Sequence, residues 1–498
     1  NTADTNKKSN YMQEIKKNPP LWLSLIPLVI LMVMLVSVVL AFGSDSLSGA
    51  SQIALLVASA SCITLGLLFK TMKWSDFEYE INRHIGDLGQ AILILLLIGA
   101  VAGSWMISGV VPTMIYYGMQ IISPQWFLVS TCVICAIVSV MTGSSWTTVA
   151  TIGIALLGIG KAQGFHEGWI AGAIISGAYF GDKMSPLSDT TVLAASTTNT
   201  PLFEHIRYML YTTVPAFILT IIIFVFMGLN HGGELSNQIG DFSRGLSQVF
   251  RITPWLLLVP VVTLLMIIRR LPAIIILFLA TLMACITAIF VQINLVDEIA
   301  GGDAGSLMNR FRGVMILLYG STSLDTGVPE LNSLVATRGM SGMMGTIWLI
   351  LCAMTFGASM KASGMLRSIM HIFVSFTQKT FSIVASTAGV GFFSTVVCAD
   401  QYLGIILTGN MFRDIYKQRG YESRLLSRTI EDSVTVTSAL IPWSTCGMTQ
   451  SMVLGVSTFV YFPFCFFNYL SPLMTLLLAA LGYKIKRCVK PSASTETA

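Results

Sequence analysis

Residues 177–191 read GAYFGDKMSPLSDTT and place three charged side chains between long apolar runs. Asp182, Lys183 and Asp189 lie here beside a proline and several hydroxyl groups. A carboxylate at the centre of a transmembrane helix costs roughly 2.5–3.5 kcal/mol and by default marks an ion or proton pathway. The stretch is therefore predicted to bind ions or to couple protons.

The second half of the chain adds three more acidic residues in apolar surroundings. They are Asp400, Glu431 and Asp432. Two of them have a competing interpretation, because Arg424 and Arg428 precede them on the same segment and a structural ion-pair network would also hold them there. Lys183 has two possible roles, as a counter-charge to the carboxylates or as a contact for an anionic substrate.

Hydroxyl groups accompany the carboxylates and complete a set of hard oxygen ligands. The candidates are Ser144, Ser145, Ser185, Ser188, Thr190, Thr437, Ser438 and Thr445. Carboxylate, hydroxyl and carbonyl oxygens suit sodium, and a sodium site is predicted at Asp182, Asp189 and Ser188. A carboxylate partly removed from water holds its proton more tightly, so protonation and cation binding can compete near neutral pH. No cofactor is expected besides the transported ions.

The composition indicates an all-α polytopic membrane protein. Of the 498 residues 54% are hydrophobic and 11% charged, whereas a soluble domain carries about 25% charged residues. The first apolar run, 21–42, is long enough to cross a ~30 Å hydrocarbon core. It exceeds the apolar region of a cleavable signal, which spans about 7–15 residues, and is interpreted as a retained helix. The net charge of +5 is attributed to basic residues at helix ends, so no nucleic-acid partner is expected.

The apolar runs predict about ten transmembrane helices and two re-entrant hairpins. The regular spans are 21–42, 51–69, 88–109, 210–229, 254–268, 272–292, 343–362 and 457–482; the broken helices are 168–198 and 423–454; the hairpins are 124–162 and 380–415. The sequence contains no zinc-ligand spacing, phosphate loop or catalytic triad, and an enzyme is not expected.

The two halves of the chain repeat each other at an offset of 255–256 residues. AVAGSWMISG (100–109) aligns with TFGASMKASG (355–364), and Pro186 aligns with Pro442. The alignment makes the copies chemically unequal. It pairs Asp182 with Ser438, Asp189 with Thr445, and Ser145 with Asp400. One asymmetric ion site, or two unlike sites, fits this pattern better than two equal ones.

Basic residues predict the orientation and hence the relation between the copies. If both hairpins are re-entrant, every basic cluster falls on the cytoplasmic side together with both termini. The copies are then inverted, which is typical of a secondary transporter with its site near the membrane midplane. The predicted parts are a cytoplasmic tail (1–20), two scaffold helices and a loop (21–87), repeat 1 (88–229), connecting helices (230–342), repeat 2 (343–482) and a second cytoplasmic tail (483–498).

The stretch GAYFGDKMSPLSDTT resembles the signature of NhaC-type sodium/proton antiporters. The second-half stretches DQYLGIILTGNMFRDIYKQRG and SRTIEDSVTVTSALIPWSTCG are similar to that family as well, and the resemblance runs from about residue 20 to 482. It implies a member of the ion transporter superfamily with inverted repeats, a scaffold, a moving transport domain, an elevator motion and a homodimer. It also implies a prokaryotic cytoplasmic membrane.

The resemblance favours sodium/proton antiport, with the carboxylates alternately protonated and bound to sodium. It leaves the full substrate open, since some NhaC-like proteins resemble malate/lactate exchangers that move sodium and protons with organic acids. Lys183 is the residue that could hold such an acid. The expected partners are therefore the lipid bilayer, Na+, H+ and, under the alternative, a small organic acid. A channel or scaffold is disfavoured by the inverted repeat.

Overall fold

The computed structural model is all-helical. It describes residues 19–42, 49–87, 89–230, 236–269, 271–302, 305–374 and 379–485. Within these ranges the helices are α1 (Leu21–Phe42), α2 (Ala50–Leu68), α3 (Trp74–Asp87), α4 (Gly89–Ile107), α5 (Val110–Ile121), α6 (Pro124–Thr142), α7 (Ser145–Ala162), α8 (Glu167–Met184), α9 (Asp189–Thr197), α10 (Leu202–Leu229), α11 (Ser236–Val249), α12 (Pro254–Ile268), α13 (Ala273–Val291), α14 (Ile293–Ala300), α15 (Leu307–Tyr319), α16 (Pro329–Val335), α17 (Gly339–Ala362), α18 (Met365–Val374), α19 (Thr380–Cys398), α20 (Gln401–Gln418), α21 (423–438), α22 (Thr445–Leu454), α23 (Thr458–Phe464) and α24 (Phe466–Ala480).

The lengths and composition of these helices show a multi-pass membrane protein. Among the described residues, nine helices are long and apolar enough to cross a bilayer, and two sharply bent pairs raise the number to eleven. One bent pair joins α11 to α12 at 92°, and the other joins α23 to α24 at 54°. The polytopic, all-helical class predicted from the sequence is therefore confirmed.

Some helix bounds differ from the predicted spans. Helix α10 begins at Leu202 rather than at residue 210. Its first turns contain Glu204, His205 and Arg207, so the apolar pattern starts later than the helix does. The predicted span 457–482 is two helices, because the chain bends at Cys465, just after a short 3-10 turn that contains Pro463.

Two helix pairs form antiparallel hairpins with very short tips. In the pair α6–α7, Phe127 near the start of α6 packs against Phe165 just beyond α7, with ring centroids 5.3 Å apart. In the pair α19–α20, the hydroxyls of Thr387 and Tyr416 lie 3.0 Å apart. Each tip is two residues long, 143–144 in the first hairpin and 399–400 in the second.

Left-handed backbone conformations recur at a nearly constant spacing along the chain. The pairs are Gly109 and Gly364, Gly143 and Ala399, Gly164 and Gly420, and Asn199 and Gly455. The first pair is separated by 255 residues and the other three by 256, as their numbers show. Asp400 follows Ala399 as Ser144 follows Gly143, so this spacing pairs Asp400 with Ser144. The alignment of Asp400 with Ser145 is therefore shifted by one residue at the hairpin tips.

Helix α8 packs against α6 at backbone-to-backbone distance. A Cβ atom added to Gly177 would lie 2.1 Å from the carbonyl oxygen of Cys132, and one added to Gly181 would lie 2.4 Å from that of Ala136. Only glycine allows this approach. The close packing brings the end of α8, with Asp182, beside the tip of the first hairpin.

Candidate ion-binding site

The two hairpin tips and the two broken helices meet in pairs. The break between α8 and α9 (185–188) lies at the first hairpin tip, and the break between α21 and α22 (439–444) lies at the second. Each tip thus contacts the broken helix of its own half. Proline contributes to both breaks, at Pro186 and Pro442, because it has no backbone N–H to donate.

Asp182 is held at the first meeting point by hydroxyl and amide donors. Its Oδ2 accepts hydrogen bonds from the Ser145 hydroxyl at 2.7 Å and the Ser145 backbone N–H at 3.2 Å. Its Oδ1 accepts a hydrogen bond from the Ser188 hydroxyl at 2.6 Å. The side chain is 6% exposed. Three donors therefore orient the carboxylate, and a small part of the residue remains exposed to a cavity.

The second meeting point repeats this geometry with different chemistry. The Ser438 hydroxyl lies 3.2 Å from Gln401 Oε1, and these two residues are each 256 positions from Asp182 and Ser145. Asp400 begins helix α20 and accepts a hydrogen bond from the backbone N–H of Leu403 at 2.9 Å. Its Oδ2 lies 3.3 Å from the hydroxyl of Thr445. A carboxylate therefore stands at the break in the first half and at the hairpin tip in the second.

One cavity of about 810 Å³ joins the two meeting points. Asp182, Asp189 and Asp400 all line it. Asp189, the first residue of α9, is the exposed member of the three, whereas Asp182 and Asp400 are buried in its wall. Of the basic residues described, Arg83 and His84 of α3 line this cavity.

The three carboxylates do not form one compact cage. Within the described ranges, no group of three His, Cys, Asp or Glu side chains is arranged to hold a single metal ion. Asp182 is surrounded by Ser145 and Ser188, while Asp400 is beside Thr445. The sequence left open one asymmetric ion site or two unlike sites. The geometry fits two unlike sites on one cavity better than one shared site.

The remaining predicted hydroxyls divide between the cavity and the helix framework. Ser144 begins α7 and accepts from the backbone N–H of Thr147 at 3.2 Å, while it also lines the cavity. Ser185 donates to the carbonyl of Val140 at 2.8 Å and fixes the break to α6. Thr437 donates to the carbonyl of Ser433 within its own helix. Thr190 lines the cavity and also contacts Glu431.

Lys183 lies in the interior and does not face the cavity. It is fully buried, and its ammonium group donates hydrogen bonds to Asp432 and, at 2.8 Å, to the Ser471 hydroxyl of α24. The prediction that Lys183 contacts an anion in the site is therefore wrong for this conformation. Its counter-charge role is real, but its partner is Asp432 rather than a cavity carboxylate.

Asp432 is the centre of a buried network that ties α8, α21 and α24 together. Besides Lys183 it accepts hydrogen bonds from Ser471 at 2.9 Å and from Thr475. The Nε of Arg428 lies 4.0 Å from Asp432 Oδ2. Arg424 instead pairs with Glu422 at 2.5 Å. The structural-network interpretation of Asp432 is supported through Arg428.

Several of these partners were not predicted from the sequence. Ser471 and Thr475 are one helical turn apart in an apolar helix, a pattern that could have marked a polar face. The Arg428 guanidinium lies over the Tyr208 ring, 4.5 Å from its centroid. His205 is fully buried and lies 2.8 Å from the Ser427 hydroxyl. The contacts of Arg428 with Tyr208 and of His205 with Ser427 join residues at least 220 positions apart, which no local pattern reveals.

Comparison with known proteins identifies the family to which this arrangement belongs. A family model described as the Na+/H+ antiporter family matches residues 177–483. The chain is 39% identical over 412 residues to the Na+/H+ antiporter NhaC of Alkalihalophilus pseudofirmus, covering 82% of this chain and 86% of that protein. The chain belongs to the Na+/H+ antiporter family.

Two relatives from Bacillus subtilis have names that correspond to the two candidate activities, sodium/proton antiport and organic-acid antiport. The Na+/H+ antiporter NhaC is 33% identical over 426 residues, 85% of this chain and 91% of its own length. The malate-2H+/Na+-lactate antiporter is 34% identical over 434 residues, 86% of this chain and 89% of its own length. Both names describe antiporters, so the expected class, a transporter rather than an enzyme, agrees with the relatives.

Proposed function

We propose that this protein exchanges Na+ for H+ across the cytoplasmic membrane at the cavity carboxylates. The observation that carries the proposal is the lining of one cavity by Asp182, Asp189 and Asp400. A carboxylate in a medium of low dielectric favours its protonated form unless a cation neutralises it, and Asp182 and Asp400 are both buried in the cavity wall. A sodium ion and a proton then compete for the same oxygens.

The first break is the better place for sodium. Asp182 and Asp189 supply two carboxylates there, and Ser188, whose hydroxyl is 2.6 Å from Asp182, supplies a neutral oxygen. The hydroxyl and the backbone N–H of Ser145 already donate hydrogen bonds to Asp182 and orient it. Asp400 and Thr445 would form the second, weaker position, since only one carboxylate is present.

The constant spacing of the left-handed residues and of the tip contacts supports the internal repeat. The inversion of the repeat is proposed from the basic residues, and the elevator motion from the resemblance to the family. Loops rich in Lys and Arg face the cytoplasm in membrane proteins. With the basic loop around Arg269 and helix α3 on that side, the cavity opens to the cytoplasm, because Arg83 and Leu271 line it. On this assignment we propose an inward-open state with both termini inside the cell and, from the resemblance to the family, a homodimer.

An organic-acid antiporter is the second candidate. A cavity of about 810 Å³ falls in the range of small-molecule sites, about 300–1,000 Å³, and is far larger than sodium requires. Charge argues against it, because Lys183 is bonded to Asp432 and the three carboxylates outnumber the basic residues that line the cavity, Arg83 and His84. A dicarboxylate would meet like charge there.

Purified protein in liposomes distinguishes the two candidates. A sodium gradient should drive proton movement without any organic acid, measured with a pH-sensitive dye inside the vesicles. Addition of malate or lactate should leave the rate unchanged. Proton movement that occurs only when an organic acid is present would replace the proposal by the second candidate.

A further inference from the structure

Glu431 is set apart from the cavity. It lies in a π-helical turn of α21 (Glu431–Thr435), it is 0% exposed, and it does not line the cavity. Its Oε1 lies 3.2 Å from the Thr190 hydroxyl. Its Oε2 has no hydrogen-bond partner among the residues that the structure describes. A buried carboxyl group with so few partners needs a specific explanation.

An unbroken chain of oxygen atoms connects Glu431 to the cavity. From Glu431 Oε1 it runs 3.2 Å to Thr190 Oγ1, then 2.9 Å to Ser188 Oγ, then 2.6 Å to Asp182 Oδ1. Ser188 is fully buried and Thr190 nearly so. Asp182, Ser188 and Thr190 all belong to the cavity wall, so the chain follows that wall and only its Glu431 end lies in the protein interior.

Counting protons shows what this chain must contain. Its three oxygen–oxygen contacts need three protons if each is a hydrogen bond, but Ser188 and Thr190 supply one hydroxyl proton each. The third proton belongs to Asp182 or to Glu431. When Glu431 carries it, all three donors point towards Asp182; when Asp182 carries it, all three point back. Transfer breaks and forms one O–H bond at each hydroxyl, and both hydroxyls end neutral.

The charges around Glu431 allow it to lose a proton as well as to hold one. Lys183 of α8 binds Asp432, the residue that follows Glu431, and Arg428 lies one turn before Glu431 on α21. Asp432 is the carboxylate bonded to Lys183 and lies 4.0 Å from Arg428. An ionised Glu431 balances these two cations, whereas a protonated Glu431 leaves one positive charge in excess.

The other elements packed around Glu431 add little charge. Asp182 faces it from α8, and Asp189 begins α9 at the cavity. Helix α24 contributes the hydroxyls of Ser471 and Thr475, which bind Asp432. Helix α19 carries no Asp, Glu, Lys, Arg or His, and the Arg413, Asp414 and Lys417 side chains of α20 are exposed.

We infer that Glu431 is a second proton-binding residue of the exchange cycle, loaded and unloaded through Thr190, Ser188 and Asp182. The inference rests on the proposed function. A sodium ion at Asp182 repels a proton further along the same chain, since charges interact strongly where water is excluded. Sodium binding therefore displaces the proton of Glu431 in addition to the one at the cavity carboxylates.

Sodium titrations of the detergent-solubilised protein across pH 6 to 9 test this inference. Each proton displaced by sodium allows up to a tenfold rise in apparent sodium affinity per pH unit. In the parent protein the apparent sodium affinity should rise by more than tenfold per pH unit, which is more than one displaced proton allows. In Glu431→Gln the rise should stay within tenfold per pH unit. Equal slopes in the two proteins would overturn the inference while leaving the proposed function standing. A parent slope of zero would overturn the proposed function itself.

A second set of variants tests the route without removing the carboxyl group. After rapid mixing with sodium, the parent should release protons in two kinetic phases, detected by a pH dye. Thr190→Val removes the hydroxyl and should slow or abolish one phase, while Thr190→Ser should restore it. The matched control is Thr220→Val, because the buried Thr220 hydroxyl bonds only the carbonyl of Ala216, at 2.9 Å. Identical release from Thr190→Val and this control would contradict the route.

Discussion

Asp182 and Asp189 meet the cavity in different ways. Asp182 is oriented by Ser145 and Ser188 and is almost buried, whereas Asp189 is exposed in the same cavity. An oriented carboxylate can bind a bare cation with little reorganisation, and an exposed one can exchange protons with water. We therefore propose that Asp182 mainly binds sodium and Asp189 mainly releases the proton.

Replacement of Asp189 tests this division at the level of one residue. Asp189→Asn keeps the shape of the side chain but can neither titrate nor neutralise a cation. We expect coupled exchange to be lost while the protein stays folded and inserted, as measured by sodium-driven proton movement in liposomes and by size-exclusion chromatography. Asp414→Asn, an exposed carboxylate of α20 away from the cavity, is the control and should keep exchange. Antiport by Asp189→Asn with an unchanged pH profile would show that Asp189 is structural.

The buried pair Lys183–Asp432 makes a second prediction, on stability. Asp432 is near two cations, Lys183 and Arg428. Asp432→Asn leaves both of them without a carboxylate partner, while Lys183→Met leaves Asp432 with Arg428 and the hydroxyls of α24. Breaking a buried pair costs roughly 3–5 kcal/mol, and Asp432→Asn should be the more destabilising change. Thermal unfolding in detergent shows which of the two variants is less stable. A larger loss of stability in Lys183→Met than in Asp432→Asn would contradict the account.

At the scale of elements, the contact between α8 and α6 positions the site. Gly177 and Gly181 bring the two backbones together, and Asp182 follows directly in the chain. Gly181→Ala places a Cβ 2.4 Å from the Ala136 carbonyl and should cost about 1–3 kcal/mol through overpacking. It should also weaken sodium binding, because α8 and the tip with Ser145 move apart.

Gly345→Ala provides the control for this helix contact. A Cβ at this exposed position of α17 meets no atom within 4 Å. Thermal unfolding and sodium binding should both stay near the parent values. If Gly181→Ala matched Gly345→Ala in both measurements, the close approach would not be what positions Asp182.

At the scale of the whole molecule, an elevator motion predicts that the cavity changes sides. Leu187 lines the cavity and is 38% exposed. The eight cysteines that the structure describes are buried, so only Cys488, outside the described residues, is first replaced by serine. In this background Leu187→Cys should react with a membrane-impermeant thiol reagent from the cytoplasmic side. It should react from the outer side once an ion gradient drives the outward state. Tyr79→Cys, an exposed position of α3, should react from the cytoplasmic side alone. Reaction of Leu187→Cys from one side under every gradient would contradict alternating access.

The sequence predicts the places where helices break better than it predicts which side chains meet. The stretches at Asp182 and Asp400 are found because a charge, and at Asp182 also a proline, interrupts an apolar run, which is a local property. Lys183 is local in the same sense, but its partner Asp432 is 249 positions away, so its direction could not be predicted. The isolation of Glu431 is likewise a property of packing, because its neighbour Thr190 belongs to the other half of the chain.

The central claim is that sodium and protons compete for the same cavity carboxylates, and a sodium titration at several pH values tests it most directly. Apparent sodium affinity of the solubilised protein would be measured between pH 6 and pH 9. The account predicts that affinity rises with pH, with a contribution of up to about tenfold per unit for each proton released. It also predicts that the rise is smaller in Asp189→Asn, because one of the competing carboxylates is removed. A sodium affinity that stays constant across this pH range in the parent protein would contradict it.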